Sequence, residues 1–236
     1  MGLEAHLAVQ ELDTTADQLR HRRATLPERA ELDRLRARLA ELEVALADVG
    51  ERRHGLERGQ RRLEDEVSTL AAKAKDVDKT MYSGTVRNPR DLRVMQEEID
   101  ALRRRQHHLE DEELELMEAA EPMDAELAKL DKRRAAIDAE AAGVTAALTE
   151  AEAAIDAELA VLEDKRSGPV AEVSAELVAE YEKLRTRLGG IGVSRLVGAQ
   201  CGGCHLALPA VEVDAIRHLP PDEVARGSEC GRLLVR

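Results

Sequence analysis

From Leu32 onward the apolar residues step by three and four without a slip: Leu32, Leu35, Leu39, Leu42, Leu46, Val49, Leu56, Leu63, Val67, Leu70, Ala74, Val77 and Met81. Only Arg53 and Gln60 interrupt the register. A repeat of this kind held over seven heptads keeps one narrow seam turned toward a partner helix. That pattern specifies a coiled coil rather than a helix laid on a globular core. The pattern stops at Tyr82-Ser83-Gly84-Thr85-Val86-Arg87-Asn88-Pro89. Gly84 and the Asn-Pro pair break helices, and Pro89 fits the first turn of a new one.

The repeat resumes with Leu92, Met95, Ile99 and Leu102 and continues through Leu109, Leu116, Met123, Leu130, Ile137, Val144 and Leu148 to Ile155. Gln106, Glu113 and Arg134 are polar members of this second seam. Two arms joined by a short link predict an antiparallel hairpin. At ~1.5 Å per residue the arm from Leu32 to Met81 would be roughly 75 Å long. Composition agrees with a thin core: the chain has two tyrosines and neither Phe nor Trp, so the rings that fill wide cores are missing.

Ahead of the hairpin, Ala5, Val9, Leu12, Ala16 and Leu19 mark a shorter amphipathic helix, ending near Leu26-Pro27 because proline disfavours a helical residue before it. Pro122 falls inside the second arm and predicts a kink. Ser167-Gly168-Pro169 predicts a break, followed by a closing helix over 170–188 with Val173, Leu177, Tyr181, Leu184 and Leu188 on one face. Gly189-Gly190 ends helical structure. The expected organisation is a helical hairpin domain over 1–188, with its tip near 82–89, and a small β domain over 189–236. The expected fold class is mainly α, a long antiparallel coiled-coil hairpin carrying a zinc-ribbon-like domain at the carboxyl terminus.

The first residues, MGLEAHLAVQELD, carry acids where a secretory signal needs a basic segment and an apolar run, and nowhere do 18 apolar residues run together. A cytoplasmic protein is the expectation. All three cysteines, Cys201, Cys204 and Cys230, lie in the last 36 residues. In a reducing compartment that clustering points to a metal before a disulfide. The tail lacks the apolar mass to fold by burial alone, and one zinc ion would supply the missing stability.

Zinc takes four ligands, and a C-x-x-C turn supplies two thiolates. Cys201-Gly202-Gly203-Cys204 is one such turn; Cys230 with Gly231 has the end of a second, in which Gly227 stands three residues before Cys230. His205, Glu229, Asp222, His218, water or a neighbouring molecule remain open as fourth ligand. A redox dithiol lacks the βαβ surroundings of thioredoxin-like proteins. The glycines at 189, 190 and 192 lack the helix and Lys-Ser/Thr of a phosphate cradle. His6, His21, His54, His107 and His108 sit in charged helices and read as solvated. No acid, base and nucleophile set converges, so no enzyme and no small-molecule substrate is expected.

Leu26-Pro27-Glu28, Asn88-Pro89-Arg90-Asp91-Leu92 through Met95-Gln96-Glu97-Glu98-Ile99, and Cys230-Gly231-Arg232-Leu233-Leu234 carry a resemblance to a bacterial family. Its members join an amino-terminal coiled-coil hairpin to a C4-type zinc ribbon. The resemblance spans nearly the whole chain. It implies zinc ligands at Cys201, Cys204 and Cys230, with Gly227 in place of the fourth cysteine. Some members resemble chaperones of the flagellar sigma factor and are implicated in RNA binding. The resemblance thus implies a regulatory adaptor, with a protein partner such as a transcription factor.

Charge gives an independent indication. Residues 73–105 hold nine basic residues (Lys73, Lys75, Lys79, Arg87, Arg90, Arg93, Arg103, Arg104, Arg105) against six acidic, net +3 on a chain of net −13. A basic tip on an acidic hairpin can contact phosphates, while the acidic arms confine a polyanion to that end. Arg87, Arg90, Arg93, Arg103, Arg104 and Arg105 are the candidate nucleic-acid contacts. A solubilising helix surface is the alternative reading of the same charges. The expected function is a non-enzymatic adaptor binding nucleic acid or protein through tip and ribbon. The alternative is a pure protein scaffold or chaperone.

Overall fold

A computed structural model of the chain describes residues 2–220 and 223–236. They fall into two compact units, Leu32–Gly143 and Met1–Glu31 with Val144–Arg236. Two long helices, α2 (Pro27–Tyr82) and α3 (Pro89–Ala171), contribute to both.

The unit Leu32–Gly143 is the coiled-coil hairpin. Every seam residue of α2 named above is buried or half-buried, Arg53 and Gln60 included; on α3 only Arg134 of the named seam residues is exposed. Of the polar seam residues Arg53 reaches across the arms, and Arg38 does so from beside the seam, whereas Gln106 and Arg134 bond along α3 to Glu110 and Asp138. Arg53 reaches Asp124 at 2.7 Å, and Arg38 reaches Glu140 at 3.3 Å. Helical side chains lean toward their own amino terminus, so in an antiparallel pair the residues that touch are offset from those level on the axis. Such exposed pairs contribute ~0–1 kcal/mol each, so the apolar seam carries the stability and the pairs mark register.

At the tip, Gly84 takes the left-handed conformation (φ 77°), which glycine enters without a Cβ clash. The Asn88 side chain accepts from the Arg90 N–H at 3.0 Å, capping α3 just ahead of Pro89. Gly50 lies inside α2, and a Cβ added there would meet nothing within 4 Å. Gly50→Ala is therefore expected to stabilise the hairpin by about 0.5–1 kcal/mol through helix propensity alone. A lower urea midpoint for the variant, followed by circular dichroism, would contradict this.

The other unit gathers α1 (Gly2–Ala24), the adjoining parts of α2 and α3, α4 (Ala175–Arg187), and the tail: β1 (Val193–Val197), β2 (Gln200–Cys201), α5 (Ala210–His218), β3 (Ala225–Arg226) and β4 (Leu233–Val235). The strands form one sheet in the order β2-β1-β4-β3, with β1 and β4 parallel and the other pairs antiparallel. Successive strand residues face opposite sides, and β4 buries both. Leu233 and Val235 join Leu7, Val9, Tyr181, Leu184 and Val193 in one core. Leu234 joins Cys201, Leu208, Val213, Ile216 and Ala225 in a second.

Four features depart from the sequence expectations. First, α3, continuous through Pro122 as expected, also runs past Pro169 to Ala171, so the closing helix is Ala175–Arg187 rather than 170–188. A proline in a last turn removes a single donor, which the helix tolerates. Ser174 starts α4 by accepting from the Leu177 N–H. Second, the tail contains a helix, α5, whose Val213 and Ile216 cover the second core. Third, α1 and the ends of the arms belong to the same unit as the tail, so the compact division does not follow the 188/189 boundary.

The fourth feature is His6, which is 1% exposed rather than solvated and stands edge-on to the Tyr181 ring at 6.3 Å between centroids. Helix α1 buries Ala5, Val9 and Ala16 as expected, but also His6, Gln10 and Asp13. His21, His54, His107 and His108 are exposed. No helix of the described residues is long and apolar enough to cross a membrane.

Candidate metal centre

The β1–β2 hairpin pairs Leu196 with Cys201 and so delivers Cys201 to the edge of the buried second core. The chain then turns tightly. The Cys201 N–H donates to the Leu206 carbonyl at 3.1 Å and the His205 N–H to the Cys201 carbonyl at 2.8 Å. The turn requires a left-handed residue at its end, supplied by His205 at φ 62°.

The second loop repeats this construction 26 positions later in the sequence. The Gly227 N–H donates to the Arg232 carbonyl at 3.0 Å and the Gly231 N–H to the Gly227 carbonyl at 2.7 Å. Gly231 is the left-handed residue, at φ 70°. The two loops are thus matched bond for bond: Cys204 corresponds to Cys230, and Cys201 to Gly227.

The matched loops bring the three cysteines together. Their sulphurs lie within 4.8 Å of one another, with Cys201 Sγ and Cys230 Sγ 3.9 Å apart. Three thiols so placed can share one metal ion. Cys201 is buried, and Cys204 and Cys230 are half-buried. Burial pushes the Cys201 thiol up, but the Ser194 hydroxyl, 3.3 Å from its sulphur, and the Cys204 and Gly203 N–H groups outweigh it and hold the thiol down to about 7. At Cys204 the Leu206 N–H favours the thiolate; burial, the Cys230 and Cys201 sulphurs and the charge on Cys201 together raise that thiol. Cys201 is therefore the first of these two to become a thiolate, the form that ligates metals.

Among the described residues no His, Asp or Glu joins the three sulphurs at this spacing. His205, His218 and Glu229 are exposed. The Glu212 carboxylate is engaged by the N–H and hydroxyl of Ser228, at 3.1 and 2.7 Å. Asp222 lies outside the described residues.

Arg232 was not singled out from the sequence. It is 8% exposed, donates to the carbonyls of Ile191 and Leu188 at 2.9 and 3.0 Å, and lies against Gly203 in the first loop. Among the described residues it pairs with no carboxylate. The Cys-Gly-Arg run marks this position in the sequence, while its burial is set by the tertiary structure.

The candidate nucleic-acid residues belong to the hairpin unit, and all six are exposed. Arg87 is in the turn, Arg90 and Arg93 in the first turns of α3, and Arg103, Arg104 and Arg105 further along it. Arg93 pairs with Glu97 at 3.3 Å. Arg105 lines a shallow groove between the arms with Arg62, Leu70, Lys73 and Leu109.

The family model described as the CT398-like coiled coil hairpin domain matches residues 9–189. The Mycobacterium tuberculosis protein Rv2229c is 32% identical over 238 residues, which cover 98% of this chain and 93% of the relative. A solved structure from Mycobacterium smegmatis superposes with a TM-score of 0.85 at 27% identity, covering 100% of this chain and 97% of that one. CT398 from Chlamydia trachomatis superposes at 0.71 with 19% identity, covering 99% and 96%; at that identity the likeness speaks for the fold alone. By the extent of the hairpin match and the likeness to Rv2229c, the chain belongs to the CT398-like coiled-coil hairpin domain family.

Proposed function

We propose that this protein is a regulatory adaptor without a reaction of its own, which binds nucleic acid at the basic hairpin tip and holds one zinc ion in its ribbon. The observation that carries the first part is the state of the tip arginines. Arg87, Arg90, Arg103, Arg104 and Arg105 are exposed, and among the described residues none pairs with a carboxylate. Elsewhere on the hairpin Arg36, Arg38, Arg52, Arg53, Arg58, Arg61, Arg62 and Arg134 do, whereas among the described residues Arg133 does not. Cations left unneutralised on a chain of net −13 are free to release counterions from phosphates. The amino terminus of α3 adds its positive dipole end beside Arg87 and Arg90.

Zinc in the ribbon is supported by the donor set. Thiolates on one zinc, each at about 2.3 Å, stand roughly 3.8 Å apart, and the Cys201–Cys230 separation is 3.9 Å. Cys201, Cys204 and Cys230 would hold the ion, and bound zinc would supply folding energy to the tail. Val197, Leu206 and Val211 are exposed on the ribbon. That apolar surface favours a protein partner there, a transcription factor by the resemblance in sequence. It equally favours the second reading, a protein scaffold with no nucleic-acid contact.

The test is binding to RNA and DNA over a salt series. Affinity is expected to fall steeply with salt, and the joint replacement of Arg103, Arg104 and Arg105 by Glu to lower it roughly tenfold or more while helicity stays intact. Equal affinity of the triple variant would leave the arginines as a solvated face. No binding by the unmodified protein at low salt would favour the scaffold.

A further inference from the structure

We infer that the coordination position beside Gly227 is kept for a ligand from outside the chain, a small-molecule thiolate, so that the ribbon is an exchangeable metal-ligand site. This rests on the reading that Cys201, Cys204 and Cys230 hold a metal ion.

The matched loops identify the position. Gly227 makes the two backbone bonds that Cys201 makes in its own loop, so the chain arrives where a fourth ligand belongs and presents no side chain. A Cβ added there would lie 3.3 Å from Cys230 Sγ and 3.6 Å from Leu234 Cδ1, which places the missing group at the sulphur cluster. Gly227 has no positive φ to explain the choice of glycine. The described chain offers no substitute: no His, Asp or Glu joins the cluster, and Glu212 is engaged by Ser228.

The surroundings select the ligand. Three thiolates around a divalent ion carry one net negative charge, and a fourth thiolate makes it two. Two arginines lie against the loops that carry the cysteines, Arg232 buried and Arg187 exposed. The buried Arg232 lies against Gly203 of the first loop without a carboxylate partner among the described residues, and Arg187 Nη2 lies 3.6 Å from the Cβ position of Gly231 in the second. A neutral water would leave the charge of the buried Arg232 less compensated, and a buried charge is weakly screened. Soft thiolates also suit a site already built of thiolates. Gly227 is buried, but Cys204 and Cys230 are only half-buried, so the cluster reaches solvent on their side.

The experiment uses the full chain loaded anaerobically with cobalt(II), whose visible and near-ultraviolet bands count sulphur ligands, and titrates it with 2-mercaptoethanol. The unmodified protein is expected to show a saturable band shift and a gain in sulphur-to-cobalt charge-transfer intensity of roughly a third, from three sulphurs to four. The cobalt should stay with the protein through desalting. Gly227→Cys is expected to show the four-sulphur spectrum without added thiol and no response to it. If the unmodified protein binds cobalt and its spectrum ignores the thiol, or the thiol strips the metal, the exchangeable position is refuted while the metal centre stands. If neither form binds cobalt with or without thiol, the metal reading itself fails. Binding by Gly227→Cys alone, even with thiol present, would refute the inference too.

Discussion

Replacement of Asp13 by Ala is expected to destabilise the unit built from Met1–Glu31 and Val144–Arg236 by about 3–5 kcal/mol. Asp13 of α1 is 5% exposed and is the acceptor on which donors from α3 and α4 converge. Arg166 of α3 donates to it at 2.8 and 3.2 Å, and the Tyr181 hydroxyl of α4 at 2.8 Å. Arg185 of α4 donates to its carbonyl at 3.4 Å and to Asp17 at 2.6 Å. Removing the carboxylate leaves the Arg166 and Arg185 guanidinium groups mostly buried, with Glu182 and Asp17 as remaining counter-charges. That uncompensated charge, more than the lost bonds, sets the size of the effect. Tyr181 is fully buried and Tyr82 exposed, so tyrosine signals during urea unfolding report on this unit. A loss below ~1 kcal/mol, the ordinary value of a surface pair, would show that the cluster is not a structural pin.

The same cluster predicts alkaline lability. Burial, then the hydrogen bond and charge of Asp13, push the Tyr181 phenol well above its usual range. Unfolded tyrosine ionises near about pH 10 while folded Tyr181 keeps its proton, so above that pH the unfolded state binds fewer protons. The contribution is full below pH ~10 and is lost above it, at roughly 1.4 kcal/mol per pH unit. Tyr181→Phe should flatten that slope.

Chelation carries the second large expected effect. If Cys201, Cys204 and Cys230 hold zinc, chelation is expected to turn all three thiols from protected to freely alkylated, because ligation requires and shields thiolates. Around residues 198–231 the chain should become protease-sensitive, since Cys201 belongs to the second core and short strands such as Gln200–Cys201 and Ala225–Arg226 add little on their own. Far-ultraviolet helicity should persist, because the hairpin seam is buried without the cysteines. Purified protein free of metal, with thiols reacting as free cysteine and a tail that still resists protease, would sink the zinc reading.

The hairpin was legible because its signal is local and repeated. A residue at every third or fourth position can meet a partner only along one stripe, so the seam from Leu32 to Ile155 is implied whatever the partner helix is. The cysteine cluster was legible for a related reason: a C-x-x-C turn is compact, and Cys230-Gly231 repeats the end of it, so the loops match at fixed offset. Helix α5 was missed because Pro209 before it and Pro220 after it make the segment read as turns; its nine residues hold only Val213 and Ile216 as buried anchors.

The buried polar face of α1 was beyond reach of the sequence for a different reason. His6, Gln10 and Asp13 have the pattern of a solvated helix surface, and nothing within α1 distinguishes them from one. What covers them comes from far along the chain. Tyr181 is 168 positions from Asp13, and the Gln10 side chain bonds Gly190 and Gly192 at 2.8 and 2.7 Å, more than 175 positions away. Periodicity along one chain determined which stripe of each arm is apolar and where the arms turn. Which polar groups lose their water was decided only when distant elements closed over them, because burial belongs to a pair of surfaces and a sequence segment carries only one of the two.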